Sequence, residues 1–130
     1  MKKAVLLFAI LFFAKIEQAQ NVTWATDVAP ILYAHCTSCH HTDGIGPFPL
    51  ITFSDAVNEA ADMGNDVVNH FMPPWPPNPF YSRFAHERLL TQSQINLINE
   101  WVNEGMPQGN PALAPTPPVY NNSSLLILTL

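Results

Sequence analysis

Cys36-Thr37-Ser38-Cys39-His40 puts two thiols three positions apart, with an imidazole immediately after them. Thiols at that spacing reach the two vinyl groups on one edge of a porphyrin. The histidine that follows is then carried beneath the ring, where its imidazole binds the iron. C-x-x-C-H is accordingly the attachment signature of c-type haem, with Cys36 and Cys39 as covalent anchors and His40 as proximal ligand. Three other chemistries use the same residue types. A redox C-x-x-C sits beside a strand-to-helix junction of a βαβ unit, and no such pattern surrounds Cys36. A disulfide across two residues is strained. A tetrahedral zinc site built on Cys36, Cys39, His40 and His41 needs a second ligand pair held at a distance, for which His70 and His86 are the candidates. The two cysteines are the only ones in the chain.

Haem iron in an electron-transfer protein needs a sixth ligand that stays in place. Residues 69–80 read NHFMPPWPPNPF, with prolines at 73, 74, 76, 77 and 79. Proline fixes φ, removes a donor and keeps the preceding residue out of the helical region, so this stretch is expected to be a stiff extended loop. Met72 lies on it, thirty-two residues beyond His40. Its thioether is a soft, neutral ligand that favours ferrous iron and raises the reduction potential. The rival reading makes Met72 a core filler. His70 is the main alternative ligand and would give a bis-histidine haem of lower potential. Met63 would have to ligate from inside a helix, and Met106 lies on a turn. His35 and His41 flank the motif and cannot easily reach the opposite face, and His86 is a remote option.

The surrounding residues take supporting roles. Gly44, Gly46 and Pro47 in HTDGIGPFPL form a turn that lets backbone pass close to the ring. It also offers the Pro47 carbonyl to the His40 ring N–H. Phe48, Leu50 and Phe53 are expected to pack beside it. Arg83 and Arg88 follow the proline loop, and either can pair with a haem propionate or serve as an ordinary surface residue. Trp75 is placed to cover a haem edge or to donate to a propionate.

Three helical segments must position these residues. The first spans about 27–36, with Asp27 as cap, Pro30 in the first turn, and Val28, Ile31, Leu32 and His35 on one face. The second begins near Ser54, carries Ala56, Val57, Ala60, Ala61, Val67 and Val68, is kinked at Gly64, and ends at the proline loop. The third opens on the capping box Thr91-Gln92-Ser93-Gln94, carries the stripe Ile95, Leu97, Ile98, Trp101 and Val102, and stops at Gly105 and Pro107. Trp101 is read as packing against the first helix. No strand is evident in residues 21–110. About ninety residues in short helices make a thin core, which a large apolar cofactor would complete.

Residues 1–20 have a basic start at Lys2 and Lys3, an apolar run from Ala4 to Ala14 and a polar end. That is the layout of a secretory signal peptide, with a run too short to span a membrane. Export outside the cytoplasm is where haem c is attached. Beyond residue 20 the only bases are Arg83 and Arg88, against nine acids. Such a surface repels phosphate backbones and argues against nucleic-acid binding. Residues 111–130 read as a proline- and serine-rich linker and the start of a further domain.

Three stretches, DVAPILYAHCTSCHHTDGIGPFPL, HFMPPWPPNPFYSRFAHERLL and LTQSQINLINEWVNEGMPQGN, resemble the small c-type cytochrome modules of exported bacterial proteins over residues 24–110. The resemblance implies an all-α, class I cytochrome c fold of three to four short helices. It also implies one covalent haem c on Cys36 and Cys39, ligated by His40 and Met72. Such modules often precede copper-dependent monooxygenase-like domains, and the tail PPVYNNSSLLILTL is similar to the start of one. The expected function is one-electron transfer in the periplasm with redox partner proteins and no bond chemistry of its own. The alternatives are a haem peroxidase or oxidase, or a haem sensor, with a displaceable sixth ligand.

Overall fold

The computed structural model describes residues 21–74, 81, 85 and 88–120. The expectations for the leader, Trp75, Arg83, His86 and the last ten residues lie outside them. The described residues are helical, with no strand among them. Four helices follow one another: α1 (Ala29–His35), α2 (Phe53–Asn58), α3 (Ala60–Val68) and α4 (Gln92–Asn103). A wide π turn, Trp24–Val28, leads directly into α1, and a short 3-10 turn, Pro111–Leu113, follows α4. None of the described helices is long and apolar enough to cross a membrane.

The first helical segment starts three residues earlier than its apolar pattern suggests, and Thr23, not Asp27, is its cap. Thr23 Oγ1 accepts from Thr26 N, while Asp27 Oδ2 reaches back to the Thr23 N–H at 2.8 Å. Asp27 is thus the returning partner of a reciprocal cap, displaced by one position because the turn is wide. The wide turn passes into α1 at Ala29, and Pro30, which has no N–H to leave unpaired, falls in the first turn of that helix.

The second predicted helix is two. Thr52 and Asp55 form a capping box that starts α2. Glu59, at φ −106° and ψ 8°, then breaks the run before α3 begins. Gly64, expected to kink the segment, lies inside α3. A Cβ there would meet Val102 Cγ2 at 3.5 Å, so the glycine marks where α3 and α4 approach. The α4 capping box is as expected: Gln94 N donates to Thr91 Oγ1 at 3.2 Å and Thr91 N to Gln94 Oε1 at 2.8 Å.

Helices α3 and α4 end in the same way. In α4 the N–H of Met106 returns to the Trp101 carbonyl and that of Gly105 to Val102, with Gly105 at φ +84°. In α3 the N–H of Phe71 returns to Asp66 and that of His70 to Val67, with His70 at φ +58°. Both are Schellman closures, which require a left-handed residue. The core between these elements is one cluster containing Leu32, Val28, Val67, Ile95, Ile98 and Trp101. Trp101 is fully buried, and its indole N–H donates to the Pro107 carbonyl at 3.0 Å.

Candidate functional site

The C-terminal turn of α1 runs straight into the two cysteines. Cys36 N donates to Leu32 O, and the N–H groups of Cys39 and His40 both return to Cys36 O at 3.0 Å. The C-x-x-C-H segment is therefore a hydrogen-bonded extension of the helix and not a free loop. His40 is buried, and its Nδ1 lies 3.1 Å from the Phe48 carbonyl. A carbonyl only accepts, so Nδ1 carries the proton and Nε2 is left as the lone-pair atom. The sequence reading assigned this role to Pro47; the acceptor is one residue further on. The turn closes with Leu50 N on His40 O, which brings the Phe48 carbonyl opposite the ring and the Phe48 ring 4.7 Å from the imidazole.

Gly46 is part of the same cradle. Its N–H donates to Cys39 O, and a Cβ on it would sit 2.8 Å from His40 Nδ1. The expected close passage of backbone is thus against the histidine itself.

These residues form one wall of a mostly apolar cavity of about 360 Å³. Cys36, Cys39 and His40 line it together with Phe48 and Leu50, and α3 contributes Met63, Asp66 and Val67. Met72, Pro73 and Pro74 complete it from the proline loop. Met72 is held by its own N–H on the Asp66 carbonyl at 3.2 Å, directly after the α3 closure. It is 38 % exposed, whereas Met63 is 8 % exposed. Arg88 also lines the cavity and donates from Nη1 to Cys39 Sγ at 3.1 Å.

His70, the rival ligand, is exposed and does not line the cavity. It is the left-handed residue that stops α3, which turns its position to helix termination. His41 is outside the cavity as well, with Nδ1 donating to the Thr37 carbonyl at 2.8 Å. Phe53 packs edge-on against Trp24 in the core and does not reach the cavity. His35, set aside in the sequence as a flanking residue that cannot easily reach the opposite face, does line it. The Gln94 amide, whose oxygen is committed to Thr91, donates its NH₂ to His35 Nε2 at 3.2 Å. Burial holds His35 below the usual histidine range.

Both cysteines are free thiols. Burial, with Cys39 as a neighbouring charge, pushes Cys36 up to about 12. A thiol held neutral is a poor metal ligand and a poor redox nucleophile, and among the described residues no three His, Cys, Asp or Glu groups converge to hold a metal ion. Iron carried by a porphyrin asks less of the chain: one nitrogen, one sulfur, and an apolar slot. The donor set here fits that request. Two thiols, the His40 imidazole with its Nδ1–H committed, two thioethers and one guanidinium line a single mostly apolar space, together with His35 and Asp66. Neither a scan against protein-family models nor searches of curated proteins and of solved structures finds a match to this chain.

Proposed function

We propose that this chain is an exported one-electron carrier with haem c bound to Cys36 and Cys39 and ligated by His40 and Met72, in a class I cytochrome c fold. The observation that carries the reading is the shared cavity. It gathers the C-x-x-C-H residues with a methionine thirty-two positions away and leaves His70 outside. Cys36 and Cys39 would hold the group through thioethers, each formed by adding its S–H across a vinyl C=C, sulfur to one carbon and hydrogen to the other, which would need no oxidant. The bound group supplies the Fe(II)/Fe(III) couple. The chain's residues do the rest. Phe48 O fixes the His40 tautomer and ring plane, Leu50 and Val67 exclude water, and the α3 closure holds the Met72 backbone. Redox proteins, including a copper monooxygenase-like domain of the kind the resemblance implies, are the partners.

The partial exposure of Met72 favours one second reading, a displaceable sixth ligand as in a peroxidase or sensor. Absorption spectra of protein exported from a host with cytochrome c maturation distinguish the two. Sharp low-spin c-type bands when reduced, with the weak sulfur-to-iron band when oxidised, are the expected result. Met72→Ala should lose that band, lower the potential and admit imidazole or cyanide. A high-spin iron in the unmutated protein would favour the second reading, and protein without haem would sink both.

A further inference from the structure

The segment read as a linker does not leave the body at residue 110. Asn110 caps the turn Pro111–Leu113, Ala114 packs against the core, and the chain returns to the attachment motif. There the Tyr120 ring stacks on His41, with centroids 4.1 Å apart and planes 18° apart. The Tyr120 hydroxyl lies 2.7 Å from Thr37 Oγ1. Thr37, the first residue between the two cysteines, is fully buried. Its own hydroxyl proton goes to the Tyr33 carbonyl at 3.1 Å, so Tyr120 is the donor in the other bond. The Thr37 carbonyl takes the Nδ1–H of His41. One residue of the motif therefore ties together α1, the histidine after His40, and a tyrosine eighty-three positions away.

We propose that residues 111–120 are a strap that sets the geometry of the attachment motif, with Tyr120 as a positioning residue acting on His40 through Thr37 and His41. The inference rests on the haem reading for its consequence at the iron, but the strap itself belongs to the chain without haem. The physical case is one of locking. The Cys39 and His40 amides hang on a single carbonyl, that of Cys36. Thr37 is the next residue along, and the strap clamps its hydroxyl and, through His41, its carbonyl. A tension or a partner acting on the chain near residue 120 is thereby felt at the proximal ligand.

Two measurements test this. In the haem-free chain, amide hydrogen exchange at Cys39 and His40 should speed up by about tenfold in Tyr120→Leu and less in Tyr120→Phe, which keeps the stack. Thr37→Val, which also loses the bond to the Tyr33 carbonyl, should speed exchange at least as much as Tyr120→Phe, the double variant should be no worse than Thr37→Val alone, and Thr37→Ser should restore protection. In the haem-loaded protein, Tyr120→Leu should shift the low-spin EPR signature and the reduction potential, readouts that loss of global stability alone does not move. Unchanged exchange in Tyr120→Leu, strictly additive effects, or an unmoved EPR signature in loaded protein would each overturn the strap. If exchange responds as stated but no variant, nor the unmutated chain, ever carries haem, the haem reading falls and the strap stands.

Discussion

Gly46 has no room for a side chain because the His40 ring and the Cys39 carbonyl already occupy the space. Gly46→Ala is expected to destabilise the protein by ~1–3 kcal/mol, the usual range for overpacking, and to reduce haem content. Urea unfolding and the haem-to-protein ratio check this, and an unchanged ratio would detach the glycine from the site. His70→Gly tests a different residue in the opposite direction. A left-handed histidine closes α3 where glycine would be less strained, so the variant should gain ~0.5 kcal/mol and leave the haem spectrum alone. A bis-histidine iron would lose its low-spin bands instead. At this scale the grouping was legible where it was local: Cys36, Cys39 and His40 fall within five residues, Met72 stood out against its prolines, and all four line one cavity. The Phe48 carbonyl was missed by one residue, since which carbonyl faces a ring depends on how a turn closes. Tyr120 gave no signal, because nothing in PPVYNNSS says which distant residue it meets.

Helix caps carry the placement of the elements. Thr91 starts α4 and, by holding the oxygen of Gln94, aims that side chain's NH₂ at His35 in the cavity wall. Thr91→Ala should cost ~1 kcal/mol as a lost cap and should also free His35. The expected signs are a lower denaturation midpoint and, by NMR, moved resonances of the His35 ring and the Gln94 side-chain amide; unmoved resonances would show that the amide is oriented by something else. The α4 cap was readable because its partners are three residues apart. The first cap was misplaced because a wide turn shifts the returning acid by one position. The break at Glu59 escaped notice because apolar periodicity runs through it, and a single backbone angle separates one helix from two.

For the whole molecule, three shifted groups, Tyr33, His35 and Cys36, set a pH window in the haem-free chain. His35 is held below 6.5 in the fold. The unfolded chain therefore takes up its proton first as pH falls. Stability present above about 6.5 should decline as pH drops through the folded-state value. Cys36 is raised from 9.0 to about 12. The unfolded thiol ionises first as pH rises, so stability should also decline across that interval. Urea midpoints from acid to alkaline pH would trace both limbs. Haem-loaded protein should lose the Cys36 part of the alkaline limb, since a thioether has no proton to lose, and keep the part due to Tyr33, which burial and the nearby Asp55 carboxylate push up. A thiol-dependent alkaline limb in that protein would contradict the bond to Cys36.

The backbone N–H groups of Trp24 and Ala25 donate to the carbonyls of Pro107 and Gln108, at 2.9 and 3.0 Å. The place where the chain enters this body is therefore the place where it completes its helices. A unit with such neighbouring gates can be spliced into a surface loop of another protein without prising the host's loop ends apart. Residues 23–109 have the form of a plug-in cartridge, and the strap that follows is the lead by which a host would be wired to it.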